Sequence, residues 1–163
     1  MIELIIVIVV AGILAAVMIP RLERDPTREA ANEVVRHIQY AQHLAMVDDV
    51  YDAGNGTWYA NRWKIVFNGT DYNVNSGLEE ATDPLTKSTF GDLTEYNLDS
   101  ITLTGGCTSS SIVFDNFGKP HTSIGAIDAT MTQACSIKLT GNGKTATITV
   151  EPQTGYVKLD SVI

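Results

Sequence analysis

The sequence predicts an α+β protein in which helices come first and antiparallel strands follow. Three observations lead to this prediction: an uncharged apolar run at 4–20, apolar residues at helical spacing over 26–49, and apolar–polar alternation between turns from residue 58 onward. A run of helices followed by a run of strands is typical of α+β domains. We therefore predict a long N-terminal helix whose second half packs on an antiparallel β-sheet or sandwich.

The first predicted element is an apolar helix that begins beside a carboxylate. From Leu4 to Pro20 the chain carries no charge, and Glu3 directly precedes this run. As a helix the run reaches roughly 25 Å, which approaches the ~30 Å of a bilayer's hydrocarbon core. A cleaved signal peptide would have a basic flank and a shorter apolar core. We therefore predict a transmembrane helix within residues 1–25.

Glu3 needs an explanation because a carboxylate inside a bilayer costs about 2.5–3.5 kcal/mol. It can lie at the level of the lipid headgroups, where the cost is small. It can also neutralise a cation of a neighbouring chain, and this second arrangement would favour assembly of several copies.

This stretch resembles the N-terminal segment of type IV pilins and type II secretion pseudopilins. The residues that match in type and spacing are Ile2, Glu3, Leu4, Gly12 and Pro20. The resemblance implies a pilin fold, polymerisation through residues 1–25, and pairing of Glu3 with the N-terminal amine of a neighbour. It also implies that the helix is weakened between Gly12 and Pro20.

The family's leader peptide and the two residues after its cleavage site do not occur in this sequence. We expect that the sequence begins at an internal methionine or has been trimmed. The N-methylated terminal amine of the family is therefore assigned to no residue.

The second helix begins with a capping sequence. Asp25 is the predicted N-cap and Pro26 the first helical residue. Apolar residues then recur at helical spacing to about Asp49, so we predict an amphipathic helix over 26–49. It would lay one face on a β-rich periplasmic or extracellular head formed by residues 26–163.

Short strands are predicted in the rest of the chain, with mainly loop at 75–95. The predicted strands lie at the end of 58–67, at 71–74, around Ile101 and Leu103, at 111–115, and in a C-terminal meander of 135–139, 144–150 and 156–159. A turn at Thr140–Gly143 joins the first two strands of the meander.

The C-terminal part also resembles the H-type minor pseudopilins of type II secretion and the T-type minor pilins. The matching residues are Phe114, Gly118, Thr154, Gly155, Tyr156 and Val157. This resemblance favours a minor subunit over a major one.

The cysteines Cys107 and Cys135 bear on the compartment in which the head folds. In an exported domain a lone pair of cysteines predicts a disulfide. In a cytosolic domain the same residues would be two free buried thiols.

The net charge of −8 disfavours nucleic-acid binding, which needs clustered Lys and Arg. Only a local basic patch would support DNA binding, and its members would be Arg62, Lys64, Lys138 and Lys144.

No strong active-site pattern is present. Ser109, Ser110 and Ser111 are close in sequence to Asp115 and His121, but triads depend on spatial geometry, and a polar loop is the better interpretation. We therefore expect no enzymatic activity and no cofactor.

The remaining candidate ligands also receive simple structural interpretations. His37 and His43 are not one helical turn apart, so we predict surface or interface residues. The aspartates Asp48, Asp49 and Asp52, and the pair Asp115 and Asn116, lack the calcium-loop pattern and are predicted to lie in solvated turns. Trp58, Tyr59 and Trp63 could form a ligand platform, but we predict core packing between helix and sheet. No metal site is expected.

Two functions remain open. The first is a structural subunit of a type IV filament, anchored in the bacterial inner membrane and assembled with copies of itself or other pilins by a membrane platform into a pilus or a secretion pseudopilus. The alternative is a minor tip pilin that binds DNA or a surface.

Overall fold

The computed structural model describes residues 2–18, 24–77, 79–107 and 109–163. Within these ranges the helices precede the strands, which confirms the predicted α+β class. The helices are α1 (Ile2–Met18) and α2 (Pro26–Val47), and the strands are β1 (Lys64–Asn68), β2 (Asp71–Asn75), β3 (Leu98–Gly105), β4 (Ser111–Phe114), β5 (Pro120–His121), β6 (Cys135–Gly141), β7 (Lys144–Val150) and β8 (Val157–Val162).

The predicted long N-terminal helix is not confirmed, because the structure has two helices and residues 19–23 lie outside the described ranges. Pro20, one of the two predicted helix-weakening residues, is among those five. Gly12, the other, lies inside α1, whose helix is continuous around it. Neither helix in the described part of the chain combines the length and the apolar character needed to cross a membrane.

The capping sequence of α2 is used as predicted. An oxygen of the Asp25 side chain accepts a hydrogen bond from the backbone N–H of Arg28 at 3.2 Å, and Pro26 occupies the first turn. Pro26 suits this place because its missing N–H has no partner there in any helix. The helix ends at Val47, two residues before the predicted Asp49.

The strands form two antiparallel four-stranded sheets, with orders β2-β1-β4-β5 and β3-β6-β7-β8. The predicted hairpin turn between β6 and β7 is confirmed: Asn142 and Gly143 both have positive φ, as a tight hairpin requires. Helix α2 contacts strands of both sheets.

The core lies between α2 and the inner faces of the sheets. The buried residues of α2 follow the predicted helical spacing and include Ala30, Val34, Ile38, Ala41 and Ala45. Opposite them are alternate residues of the strands, among them Ile65, Val74, Ile112, Phe114, Ile137, Leu139 and Ile148. In β1, β2, β6 and β7 every second residue is buried, so the period of two in these strands is the consequence of one-sided burial.

Some strand predictions differ from the structure. The strand predicted at the end of 58–67 is confirmed as β1, and a 3-10 turn over Trp58–Asn61 precedes it. β8 runs over Val157–Val162 rather than 156–159. β5 was not predicted, since it has only two residues and one is a proline. The predicted loop at 75–95 is largely irregular, with isolated bridges such as Thr82 to Thr89.

Cys107 and Cys135 form a disulfide, as expected for an exported domain. Cys107 follows β3 and Cys135 begins β6, and both are fully buried. Beside the bridge, the N–H of Gly106 donates to the carbonyl of Ala134 at 3.0 Å. The disulfide therefore links the residue that follows the edge strand β3 to the start of its neighbour β6.

Replacing both cysteines with alanine should lower the free energy of unfolding by about 3–4 kcal/mol, because the bridged residues are 28 positions apart and the loop restricts the unfolded chain. Urea unfolding of the oxidised chain and of the double variant measures this difference. Wild-type protein in reductant is the control, and it should unfold close to the variant. Equal stability of the variant and the oxidised protein would contradict the prediction.

Candidate functional site

The most distinctive surface in the described part of the chain is α1. Every side chain from residue 2 to residue 16 is exposed, and Ile2 is 77% exposed and Ile6 58%. Apart from Glu3 and the small Ala and Gly residues, this part of the helix consists of Ile, Leu and Val. Monomeric soluble proteins rarely expose a contiguous apolar surface of this kind. An exposed apolar surface of this extent is typical of sites of protein or membrane contact.

Glu3 is the one charged residue of α1, and it lies in the first turn. A carboxylate there is favoured by the unpaired N–H groups and the dipole at the helix start. Within the described ranges its side chain makes no hydrogen bond or ion pair.

His121 forms a buried polar centre with Asp115 and Arg62. Its Nδ1 lies 3.3 Å from Arg62 Nη1, and its Nε2 lies 3.1 Å from Asp115 Oδ2. Arginine can only donate, so Nδ1 accepts and Nε2 carries the proton that is donated to the carboxylate. Burial lowers the pKa of His121, although the Asp115 hydrogen bond opposes this shift.

This geometry bears on the suspected serine triad. Both ring nitrogens of His121 are already occupied, and Ser109 Oγ instead donates to the carbonyl of Thr122. No described serine hydroxyl bonds to His121. The prediction of a polar loop is nevertheless wrong for His121 itself, which is only 2% exposed. Its role in the structure is to join β5 to the residues before β1 and after β4.

The predicted basic patch does not form. Arg62 is buried, and its Nη1 also donates to the carbonyl of Ile127 at 3.2 Å. Lys144 pairs with Asp25 at 2.8 Å. Lys64 is half-buried, and this burial lowers the pKa of its amine. Of these four residues only Lys138 is exposed and without an ion pair in the described ranges, so they form no basic surface patch.

The aromatic residues near residue 60 divide into two groups. Trp63 is buried in the core, as predicted, and its Nε1 donates to Asp48 Oδ2 at 2.9 Å. Trp58 is half-buried, with the Arg62 guanidinium 5.0 Å from its ring centre. Tyr59 packs edge-on against Trp58. Trp58 and Tyr59 therefore lie at the margin of the head rather than in its core, where they were predicted.

Three of the aspartates considered as calcium ligands serve as turn residues. The prediction of a solvated turn is wrong for Asp115, whose side chain is 13% exposed beside His121. Asp49 Oδ1 accepts from the N–H of Tyr51 at 3.0 Å, and Asp52 Oδ1 accepts from the N–H of Gly54 at 2.9 Å. Asp115 Oδ1 accepts from the N–H of Phe117 in the same way. Across residues 2–18, 24–77, 79–107 and 109–163, no three His, Cys, Asp or Glu side chains are grouped to hold a metal ion.

The surface prediction for His37 is wrong, whereas His43 is exposed as expected. His37 is 2% exposed and its Nδ1 lies 2.5 Å from Tyr72 Oη. Its Nε2 is 3.1 Å from Arg36 Nη2 and 3.4 Å from Asp83 Oδ2. The signal for burial was in the sequence, because His37 follows Val34 by three positions and lies on the same helix face.

His37 thus connects three parts of the head: α2, β2 and the irregular segment 76–97. The ring of Phe90, in that segment, packs edge-on against His37 with centroids 4.5 Å apart. Burial is the main cause that lowers the pKa of His37 to about 4; Arg36 lowers it further and Asp83 opposes the shift.

This shift predicts acid destabilisation of the head. The unfolded histidine has a pKa of about 6.5, so between that pH and about pH 4 the unfolded chain binds a proton that the folded chain excludes. Stability therefore falls as the pH is lowered through this window, by about 3 kcal/mol in all. Urea unfolding at successive pH values measures it.

His37→Gln should flatten this pH dependence, leaving the smaller contribution of His121 in the same direction. His43→Gln is the matched control, because His43 is exposed on the same helix. The assignment to His37 fails if the two variants have equal slopes.

Comparison of the chain with protein-family models, with curated proteins and with solved structures found no match.

Proposed function

We propose that the chain is a structural subunit of a type IV filament and that it polymerises through α1. The observation that carries this proposal is the all-round exposure of an apolar helix with a single acid, Glu3, in its first turn. A helix that is apolar on every side is stable only in lipid or among other apolar helices. A filament subunit meets both environments: lipid before assembly, and the other apolar helices of the filament afterwards.

The physical sequence of events follows from this. Before assembly, the segment 1–25 is held in the inner membrane with the head, residues 26–163, in the periplasm. During assembly by a membrane platform, lipid contacts of α1 are replaced by contacts with like helices, where packing and polar contacts drive association. Glu3 then pairs with the terminal amine of a neighbouring subunit, which fixes the register.

The proposal includes a pilin fold, in which α1 is the membrane part and α2 the amphipathic part of the N-terminal helical region. It is supported by the order of the elements and by the packing of α2 on antiparallel sheets. The disulfide suits an oxidising compartment such as the periplasm. The filament is either a pilus or a type II secretion pseudopilus, containing copies of this chain or other pilins.

Imaging of filaments sheared from the native source, at side-chain resolution, tests this proposal. We expect α1 in a central bundle, with the Glu3 carboxylate within about 4 Å of a neighbour's terminal amine, as in an ion pair. The density also gives the true first residue. A chain found only as an unassembled membrane protein, in cells that make filaments without it, contradicts the proposal.

A minor subunit at the filament tip is the second candidate, and two exposed aromatics favour it. Phe117 is 83% exposed and Tyr156 59%, on turns that Gln42 ties together by donating to the carbonyls of Gly118 and Thr154 at 2.8 and 2.9 Å. Exposed aromatic rings of this kind are better suited to contact an apolar material or a polysaccharide than to bind DNA. Antibody labelling distinguishes the candidates, since a tip subunit gives one label per filament end.

A further inference from the structure

The sequence Asn-Gly-Thr occurs at 55–57 and again at 68–70. Asn-x-Thr is the acceptor pattern for N-linked glycans in exported proteins. At the first of these sites the structure brings the asparagine and the threonine together. Asn55 Oδ1 accepts from the backbone N–H of Thr57 at 3.0 Å and from Thr57 Oγ1 at 2.9 Å.

We propose that Asn55 is the acceptor of an N-linked glycan. The proposal rests on the export of the head that the proposed function includes, because lipid-linked sugar donors are used on the outer side of the membrane. It adds a covalent modification to a subunit whose assembly does not itself require one.

The contacts of Asn55 place its side-chain nitrogen where a reaction needs it. Both groups of Thr57 donate, so the atom that they contact must be the carbonyl oxygen Oδ1. Nδ2 consequently points away from Thr57, and within the described ranges it makes no hydrogen bond. The nucleophilic atom is therefore free, while the oxygen is fixed.

The same two donors stabilise charge during the transfer. As Nδ2 loses its proton to a base of the transferase, negative charge develops on Oδ1, where the N–H and the hydroxyl of Thr57 are already aimed. Nδ2 then forms a bond to the anomeric carbon of a lipid-linked sugar diphosphate. The bond from that carbon to the phosphate oxygen breaks, and its electron pair leaves with the lipid diphosphate.

The site is accessible to an enzyme. It lies in the loop between α2 and the 3-10 turn at Trp58–Asn61, where Asn55 is half-buried and its neighbours 51–54, 56 and 57 are exposed. Loops of this kind, with few buried contacts, open more readily than strands.

The second Asn-Gly-Thr sequence is a natural comparison. Asn68 is exposed at the end of β1 and pairs in register with Asp71 across the hairpin. Thr70 makes no hydrogen bond to Asn68 in the described part of the chain. The two sites therefore share the sequence Asn-Gly-Thr. They differ in that only Asn55 accepts hydrogen bonds from the N–H and the hydroxyl of its threonine.

Peptide mass spectrometry of the full chain purified from its native source tests the proposal. Trypsin releases the two sites on separate peptides, residues 37–62 and 65–87. We expect a glycan mass on the first peptide, localised to Asn55 by electron-transfer fragmentation, and an unmodified second peptide. An unmodified first peptide, or a glycan on Asn68 alone, overturns the proposal.

Matched variants test the role of the two donors. Asn55→Asp keeps the oxygen acceptor but removes the nitrogen, so the glycan is lost while the loop is kept. Thr57→Ser should retain the glycan, whereas Thr57→Val, of nearly the same shape, should lose it. Retention of the glycan in Thr57→Val overturns the assigned chemistry.

The oxidation state of the two cysteines shows whether a negative result contradicts the glycan assignment alone or the proposed function as well. Head that is exported and oxidised at Cys107 and Cys135, yet lacks the glycan, overturns the glycan assignment and leaves the filament proposal intact. Head that remains in the cytoplasm with reduced cysteines overturns both.

Discussion

Cells that express Glu3→Ala in place of the wild type should yield at least about tenfold fewer sheared filaments, since the loss of 1.4 kcal/mol per subunit contact already changes an equilibrium tenfold. Removal of one partner of a buried ion pair costs about 3–5 kcal/mol, because the remaining charge is left without compensation. In the proposed filament that remaining charge is the terminal amine of the neighbouring subunit. The yield is measured by shearing, sedimentation and quantitative immunoblotting.

The same substitution makes an opposite prediction for the membrane stage. Glu3→Ala removes a carboxylate that costs about 2.5–3.5 kcal/mol in a bilayer, so the amount of membrane-held subunit should stay constant or rise. Glu3→Gln keeps the shape but not the charge, and it should also reduce filaments. Ile6→Leu is the control, because it changes an exposed residue of α1 without changing volume or charge.

Filaments at wild-type levels from both Glu3 variants would contradict the pairing of this acid during assembly. A parallel loss of filaments and of membrane-held subunit would instead indicate that Glu3 acts in insertion or folding. The two readouts together therefore separate assembly from anchoring.

Local sequence signals predicted much of the fold. The start of α2 followed from Asp25 and Pro26, and the β6–β7 hairpin followed from the turn at Thr140–Gly143. Each of these depends on a few adjacent residues with restricted backbone geometry. β5 could not be predicted in this way, since two residues have no period.

The polar centres of the head were missed because their partners are distant in sequence. Tyr72 lies 35 positions from His37, and Arg62 lies 59 positions from His121. The spacing from Val34 indicates that His37 lies on the buried face of α2, but it does not indicate which distant residue hydrogen-bonds to the ring. The same limitation applies to Arg62, whose Nη1 finds its partners in His121 and in the carbonyl of Ile127. Its buried Nε has no hydrogen-bond partner within the described ranges. The apolar character of α1, in contrast, follows from its composition alone and could be predicted from the sequence.

Gly91→Ala should lower the free energy of unfolding by about 2–5 kcal/mol, which combines the cost of a left-handed backbone with that of overpacking. Gly91 has φ of +94°, and a Cβ there would lie 1.5 Å from the carbonyl oxygen of Tyr72. The obstacle is backbone of β2, so it cannot move aside as a flexible side chain would. The irregular segment 76–97 must instead shift away from the sheet.

Gly69→Ala separates the two causes. Gly69 also has a positive φ, +67°, but a Cβ there meets nothing within 4 Å, so only the backbone cost of about 1–2 kcal/mol applies. Urea unfolding should therefore rank the wild type above Gly69→Ala and Gly69→Ala above Gly91→Ala. Because Tyr72 also contacts His37, displacement of the segment should expose that histidine and weaken the pH dependence of stability in Gly91→Ala alone. Equal destabilisation by the two substitutions would mean that the segment does not pack against β2 as closely as the Gly91 contact requires.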